Sequence, residues 1–208
     1  MAHDFDAQYW DEHWRQAAGH ERAAATPNPH LVRELAGLSP GRALDAGCGE
    51  GAEAIWLATQ GWQVTAADIS ADALARAAAR AAQAGLRQGV QWIRADLTAW
   101  EPAGPFELVT THYAHPTMPQ LDFYERLSRW VAPGGTLLVV GHLHRAEHQG
   151  VHGHAHEPPA EASATPAGIT SRLEPLGWQI LVAEERERTP EGRDAALYDV
   201  VVRAVRSR

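Results

Sequence analysis

The chain has 208 residues, the size of one globular domain, and a composition of 45% hydrophobic and 21% charged residues excludes a disordered or collagenous protein. All 18 basic residues are arginine, and 26 acidic residues bring the net charge to −8; a nucleic-acid partner is not expected, because such proteins carry a basic face. The single cysteine, Cys48, favours a reducing, cytoplasmic location. The chain shows no signal peptide and no long apolar run, so no membrane span is expected.

The N-terminal segment 1–40 predicts two helices, over 6–20 and 28–38, separated by the breaker sequence TPNP. Beyond it, short apolar runs alternate with helical runs. The predicted strands are 42–47, 63–68, 90–96, 106–113 and 136–142. The predicted helices between them are 51–61, 71–85 and 119–131, the last of which ends in the turn APGG.

The alternation of strands and helices predicts an α/β protein with a doubly wound, mostly parallel sheet, since apolar runs without strict alternation are typical of strands buried on both faces. Two further strands, 178–188 and 195–205, are joined by the polar turn TPEGRD and predict an antiparallel hairpin at the sheet edge, which makes seven strands. We therefore expect one domain over 1–208, with a helical extension at 1–40 and a core at 41–208.

The glycine-rich sequence LDAGCGEGAEA carries the strongest chemical signal. Asp45 ends the first strand, and Gly47, Gly49 and Gly51 form the turn into the next helix, where unusual backbone angles and a close ligand favour glycine. The same letters fit the dinucleotide pattern G-x-G-x-x-G/A through Gly47, Gly49 and Ala52. The loop alone therefore leaves open a structural turn, a nicotinamide site or a site for another nucleotide cofactor.

Acidic residues around the loop narrow the choice. Asp68 ends the second strand, where an acid can bind both ribose hydroxyls. Glu50 and Glu53 open the helix that a pyrophosphate would need, and their carboxylates would repel it. A cofactor that carries a cation and no phosphate suits this loop better. Asp96, after the third strand, can accept a hydrogen bond from an exocyclic amine, or it can cap the turn at Thr98.

These motifs resemble class I S-adenosylmethionine-dependent methyltransferases: DAGCGEG as the cofactor loop, acids at Asp68 and Asp96, FELVTTHYAHP as the fourth-strand motif, and VAPGGTLLVVGH as the helix–turn–fifth-strand segment. The resemblance spans about 41–142 and the terminal hairpin, and it implies a Rossmann-like fold with S-adenosylmethionine as cofactor. YWDEHW followed by PNPHLV is similar to the small-molecule subgroup related to tellurite-resistance and thiopurine methyltransferases. A small-molecule substrate is therefore implied.

The resemblance also implies a set of cofactor contacts. At the methionine end these are Thr111 and His112, and along the methionine and ribose they are Gly47, Cys48 and Gly49, with Asp45 orienting the loop or the amino group. At the ribose hydroxyls the contact is Asp68, and at the adenine the contacts are Ile69, Asp96 and the backbone of Leu97. Cys48 is interpreted as a buried filler within the loop rather than as a nucleophile.

Methyl transfer from a sulfonium needs approach geometry more than a fixed catalytic group, and a base only where the acceptor must lose a proton. His112 and His142 are the candidate catalytic residues, with Tyr113 and His115 nearby in the sequence. The sequence TTHY stands where nucleic-acid amino methyltransferases of this fold carry N-P-P-Y or D-P-P-Y, which again favours a small-molecule acceptor.

Two segments carry open alternatives. Tyr9, Trp10 and Trp14 either form an apolar lid over the reacting methyl group or pack an amphipathic helix on the domain. The loop 142–156 holds six of the 12 histidines and is interpreted as a solvated loop with incidental metal affinity; the open alternatives are a metal site and a contact with the substrate. The alternative functions are a nicotinamide-dependent oxidoreductase and a non-catalytic cofactor- or metal-binding protein.

Overall fold

The structure, a computed structural model, describes residues 5–16, 26–86, 88–143, 164–188 and 197–208. Its seven strands form one sheet in the order β3-β2-β1-β4-β5-β7-β6. The strands are β1 Arg42–Ala46, β2 Gln63–Asp68, β3 Val90–Arg94, β4 Phe106–His112, β5 Val131–His142, β6 Trp178–Arg188 and β7 Leu197–Arg206. The helices are α1 Ala7–Gln16, α2 Pro29–Glu34, α3 Ala52–Thr59, α4 Ala71–Gln83, α5 Gln120–Ser128 and α6 Pro166–Leu173, followed by a 3₁₀ turn at Glu174–Leu176.

The sheet is parallel from β3 to β5, and β7 runs antiparallel to both β5 and β6. This topology confirms the predicted doubly wound sheet with an antiparallel C-terminal hairpin. Because parallel strands share one carboxyl edge, the ends of β1, β2, β4 and β5 lie side by side. Asp68, His112 and His142 each end one of these strands and therefore lie along this edge.

Both faces of the central strands of the sheet are buried. Neighbouring residues of one strand enter different cores: Ala43 and Leu108 belong to the core beneath α2 and α3, and Leu44 and Val109 to the core beneath α5 and α6. This arrangement explains the apolar runs in the strands, since each side of a central strand is covered. Within the described ranges, no helix combines the length and the apolarity that crossing a membrane requires.

The predicted turn at APGG is wrong, because β5 already begins at Val131 and runs through these residues. The register with β4 moves from Phe106↔Val131 to Leu108↔Thr136, so the extra residues form an irregularity within the strand. Gly134 has φ +77°, and a Cβ on Gly135 would lie 2.8 Å from the Val131 side chain. The two glycines therefore allow the strand to bulge and continue rather than to start after a turn.

Helix α6 has no counterpart among the predicted elements, although the sequence carries its start signal. Thr165 accepts a hydrogen bond from the Gly168 N–H, and Pro166 occupies the first helical turn. The predicted N-terminal helix is described only as far as Gln16, since 17–25 lie outside the described residues. The second predicted helix ends at Glu34 rather than at residue 38.

Candidate cofactor and acceptor site

The glycine loop is held by backbone hydrogen bonds at the edge of the sheet. Gly47, Gly49 and Gly51 have φ values of +79°, +50° and +80°, which favour glycine at each place. The N–H groups of Gly47 and Cys48 both donate to the Ala67 carbonyl, at 2.8 and 3.1 Å. The loop is thereby fixed to the end of β2, beside Asp68.

Neighbouring side chains also exclude a Cβ from the loop. A Cβ on Gly47 would lie 2.5 Å from the Ala114 methyl group, and one on Gly51 would lie 2.6 Å from the Trp92 ring. Ala114 belongs to the segment directly after β4. The loop and the segment after β4 are therefore in direct contact, which brings the ends of β1 and β4 into one site.

Asp68 lies where the sequence predicts a ribose-binding acid. Its Oδ2 accepts the Gly49 N–H at 2.8 Å and its Oδ1 accepts the Ser70 N–H at 2.9 Å. Burial raises the pKa of Asp68, and these backbone N–H groups work in the opposite direction. The two backbone bonds fix the carboxylate at the edge of the loop, and a carboxylate oxygen retains capacity for a further donor such as a hydroxyl.

Asp45 shows most directly which kind of ligand fits the loop. The residue is only 1% exposed, and its Oδ2 has no hydrogen-bond partner among the described residues. Burial raises the pKa of Asp45 well above its usual value, and the nearby carboxylates of Glu53 and Asp68 raise it further. A ligand that brings a cation to this loop would offset all three charges, and the ammonium and sulfonium of S-adenosylmethionine fit that requirement.

Glu50 does not repel a pyrophosphate in the way that the sequence predicts. Its carboxylate pairs with Arg76 at 3.1 Å and with Arg80 at 2.7 Å, so its charge is balanced within the protein. Among the described residues, by contrast, Asp45 and Asp68 form no ion pair. The preference for a cationic cofactor therefore rests on these buried acids and not on Glu50.

On the adenine side, Asp96 is exposed, and its Oδ1 accepts hydrogen bonds from the Thr98 N–H at 2.9 Å and the Thr98 hydroxyl at 2.7 Å. This is the turn-capping geometry that the sequence left open. The Leu97 carbonyl accepts a hydrogen bond from Arg126 and the Ile69 carbonyl one from Arg94. The adenine contacts of Ile69, Asp96 and Leu97 stay predictions.

Thr111 and His112 are the last two residues of β4, and both are buried. The Thr111 hydroxyl donates to the Ala46 carbonyl at 2.8 Å, so it is engaged within the sheet. Neither ring nitrogen of His112 has a hydrogen-bond partner among the described residues, and burial lowers the pKa of this imidazole. His112 is therefore a neutral, buried polar group on the face covered by α2 and α3.

Helix α1 lies across the loop. The Trp14 ring comes within 3.1 Å of the place that a Cβ of Gly49 would occupy. Asp11 accepts a hydrogen bond from the Ser70 hydroxyl at 2.6 Å, and Arg15 lies 3.4 Å from Asp72. The helix is thus attached to Ser70, which follows the end of β2, and to α4, on the predicted ribose side of the site.

A column of aromatic rings continues from α1 along the predicted methionine end of the cofactor site. The Trp10 and His115 rings stack with centroids 6.4 Å apart, His115 and His142 with centroids 5.7 Å apart, and His142 and Tyr113 with centroids 4.4 Å apart. Tyr9 contacts the edge of Trp10 at 5.2 Å. We call Trp10, His115, His142 and Tyr113 the aromatic column; it joins α1, the segment after β4 and the end of β5.

A buried acid that the sequence does not predict as a site residue, Asp199, lies behind this column. Asp199 accepts a hydrogen bond from the Tyr113 hydroxyl at 2.9 Å and lies 3.1 Å from His30 Nε2. Tyr113 itself has φ +54°, a rare conformation for a large side chain. Because His30 and Asp199 are 169 residues apart, no local pattern pairs them. The one hint in the sequence was an acid, Asp199, followed by three valines in the predicted strand 195–205.

Two further predictions concern cysteine and metal. Cys48 is buried, and burial raises the pKa of its thiol, so the thiol stays protonated at neutral pH. Of the histidine-rich segment 142–156, only His142 and Leu143 lie within the described residues. Elsewhere in the described chain, no cluster of three or more histidine, cysteine or acidic side chains is arranged to hold a metal ion.

Comparisons with known proteins agree with this geometry. The family model described as "Methyltransferase domain" matches residues 43–135. A ubiquinone biosynthesis O-methyltransferase from Caulobacter sp. strain K31 is 38% identical over 109 residues, which are 50% of this chain and 41% of that protein. Magnesium protoporphyrin IX methyltransferase from Synechocystis PCC 6803, solved with S-adenosylhomocysteine, superposes with a TM-score of 0.69 at 20% identity over 97% of both chains.

TehB from Haemophilus influenzae also superposes with a TM-score of 0.69, at 13% identity, over 95% of this chain and 67% of that one. At such identities the superpositions show the fold alone. Residues 43–135 thus match a methyltransferase domain, and the chain has the fold of solved methyltransferases. The matched segments cover only 41% and 48% of the first curated relatives. The activity of the whole protein is therefore a proposal that rests on the site of this chain.

Proposed function

We propose that this protein transfers the methyl group of S-adenosylmethionine to a small-molecule acceptor. The observation that carries the proposal is the buried Oδ2 of Asp45, which has no hydrogen-bond partner among the described residues and lies with Glu53 and Asp68 around the glycine loop. A cationic cofactor completes this site, whereas the diphosphate of a nicotinamide cofactor would add negative charge to it. S-adenosylmethionine supplies an electrophilic methyl group on a sulfonium, so the protein has to bind, orient and exclude water.

In this proposal the two ends of the site have different tasks. Asp68 binds the ribose hydroxyls, and Asp45 orients the loop and the amino group. The segment 1–40 acts as a lid on the core 41–208, with Trp14 over Gly49 and Tyr9 and Trp10 towards the acceptor. A lid of this kind excludes water from the reacting methyl group and holds the acceptor in line.

A small acceptor is favoured over a nucleic acid by the charge of the protein and by the cover over the site. The net charge is −8, and α1 lies across the loop through Trp14 and Asp11. We also propose that the protein acts without a membrane or nucleic-acid partner, in the cytoplasm. Support for that compartment comes from Cys48, the single cysteine, which is buried as a free thiol.

Titration calorimetry with S-adenosylhomocysteine, NADH and Zn²⁺ tests the cofactor. We expect a one-to-one complex with S-adenosylhomocysteine only. Binding of NADH in its place would favour the oxidoreductase, and binding of Zn²⁺ alone would favour a metal-binding protein. Transfer of a labelled methyl group to thiols, phenols, amines and metalloid oxyanions then tests the reaction. A protein that binds the cofactor product yet methylates none of these classes would contradict the proposed activity.

A further inference from the structure

A buried polar network lies behind the aromatic column, on the face of the sheet covered by α2 and α3. Asp199 has no exposed surface, and its Oδ2 accepts the Tyr113 hydroxyl at 2.9 Å and lies 3.1 Å from His30 Nε2. Asn28 donates to the Tyr113 oxygen at 3.0 Å. A buried carboxylate is costly unless donors hold it, and here α2 and the segment after β4 each supply one.

Asp199 also lies next to His142, on the neighbouring strand of the sheet. The two residues are direct partners in the antiparallel register of β5 and β7. Directly opposite residues project from the same face, with Cβ atoms about 5 Å apart. The Tyr113 ring stacks on the His142 imidazole with centroids 4.4 Å apart. His142 therefore lies against a tyrosine that is hydrogen-bonded to the same carboxylate, and this negative charge favours the imidazolium form.

The backbone at Tyr113 is strained in a way that serves this arrangement. Its φ of +54° lies in the left-handed region, which is unfavourable for a residue other than glycine, and such strain persists only where surrounding contacts enforce it. The Tyr113 N–H donates to the Val140 carbonyl at 2.9 Å, and the following residue, Ala114, packs against Gly47. The strained residue thus links the cofactor loop, His142 and Asp199.

We propose that His142 accepts the proton of the methyl acceptor, with Asp199 and Tyr113 as its positioning residues. The acceptor then belongs to the class whose nucleophilic atom carries a proton at neutral pH, such as a thiol, alcohol, phenol or amine. This inference rests on the proposed methyl transfer. As the acceptor atom bonds to the methyl carbon, the carbon–sulfur bond breaks with its electron pair on sulfur, and the acceptor's proton moves to a His142 ring nitrogen.

The composition of the site supports this acceptor class over carboxylates. An ionised carboxylate has no proton to lose and is usually bound by arginine. The aromatic column contains no arginine, and the acid behind it would repel an anion. The titratable groups that face His142 include Tyr113 and His115 after β4, Asp199 on β7, and His30 on α2 through Asp199. His112 lies on the same face, paired with Val140.

An NMR titration of the protein loaded with S-adenosylhomocysteine tests the electrostatic part. The His142 ring resonance is assigned from its loss in His142→Asn. We expect Asp199→Asn to lower the His142 titration midpoint by about one pH unit, because it removes the opposing charge. Tyr113→Phe keeps the ring and should lower it less. Asp122→Asn, a partly exposed acid on α5 that pairs with Arg172, is the matched control and should change nothing. Equal midpoints in wild type and Asp199→Asn would overturn the inference.

Two thiols test the role of His142 as a base. Phenylmethanethiol is mostly protonated at neutral pH, whereas 4-nitrothiophenol is ionised. We expect His142→Asn to slow methylation of the first at least about tenfold and of the second much less. Equal losses on both would show that His142 only packs. Calorimetry with S-adenosylhomocysteine separates the two proposals: absent binding refutes the methyltransferase, whereas binding with an unchanged midpoint refutes only this inference. If neither thiol is turned over, the NMR titration decides alone.

Discussion

The two halves of the site treat buried acids in opposite ways. Around the glycine loop, the buried acids Asp45 and Asp68 have no ion-pair partner in the described part of the chain. Behind the aromatic column, Asp199 is held by Tyr113 and lies beside His30. The first half is completed by a ligand that brings a cation and donors. The second half is already assembled and orients side chains for an incoming acceptor.

This difference indicates which half carries cofactor affinity and which carries the reaction. Removing a group from the loop half should change binding of S-adenosylhomocysteine, because that ligand supplies the missing partners. Removing a group from the acceptor half should leave this binding in place and change the rate of transfer. The variants below test the separation from the largest expected effect to the smallest.

Deleting residues 1–20 should reduce methyl transfer by about a thousandfold, because Trp10 and Trp14 would no longer exclude water and hold the acceptor. Binding of S-adenosylhomocysteine should persist, though more weakly, since the loop and Asp68 lie in the core. Hydrogen exchange should show the 6–16 amides slowing when S-adenosylhomocysteine is added to the full chain. A truncated protein that turns over at the full rate would show that α1 only packs on the domain.

Asp68→Ala should weaken S-adenosylhomocysteine binding by about 2–4 kcal/mol, the scale of two charge-assisted hydrogen bonds. Asp122→Ala is a matched control, since this partly exposed acid on α5 pairs with Arg172 of α6 rather than with the loop or α1. Titration calorimetry on both variants measures the difference. If Asp68→Ala binds as tightly as the control, the ribose assignment fails.

Asp45→Asn should change stability and binding in opposite directions. Burial and the nearby Glu53 and Asp68 raise the folded-state pKa of Asp45. Its contribution to stability is therefore present below the unfolded-state pKa and is lost as the pH rises through the folded-state pKa. At pH 7 without ligand, the variant should therefore gain about 1 kcal/mol in free energy of unfolding, measured with denaturant. It should also bind S-adenosylhomocysteine more weakly. A less stable variant would mean that Asp45 already has a favourable partner.

His112→Gln should give the smallest effect, and only in acid. Burial lowers the folded-state pKa of His112, so below about pH 6.5 the unfolded chain takes up a proton that the folded chain does not. Wild type should therefore lose about 1 kcal/mol relative to the variant between pH 7.5 and 5.5. Denaturant unfolding at the two pH values measures this, and a difference that does not change with pH would contradict it.

The sequence predicts the loop half of the site well, because its signals are local. The first four strands were predicted to within two residues of the observed ends, and Asp45 and Asp68 lie at the strand ends where they were placed. A strand end and a glycine turn are adjacent in the chain, so their geometry follows from short-range rules. The start of the fifth strand was predicted too late, at 136 rather than Val131, because a bulge and a turn use the same glycines.

The acceptor half depends on contacts between distant residues, which the sequence does not show. Its network joins Asn28, His30, Tyr113 and Asp199 from three separate parts of the chain. The left-handed backbone at Tyr113 has no sequence signal either, because glycine is the usual residue there. The place of α1 over Gly49 likewise depends on tertiary packing.

A crystal structure of the complex with S-adenosylhomocysteine would test most directly the claim that Asp45 and Asp68 form the cofactor site. We predict both ribose hydroxyls within about 3 Å of the Asp68 oxygens and the ligand's amino group beside the loop that Asp45 supports. We also predict that Asp199 keeps its contacts with Tyr113 and His30 unchanged. A ligand whose ribose lies away from Asp68, or whose amino group binds the Asp199 network instead, would contradict the claim.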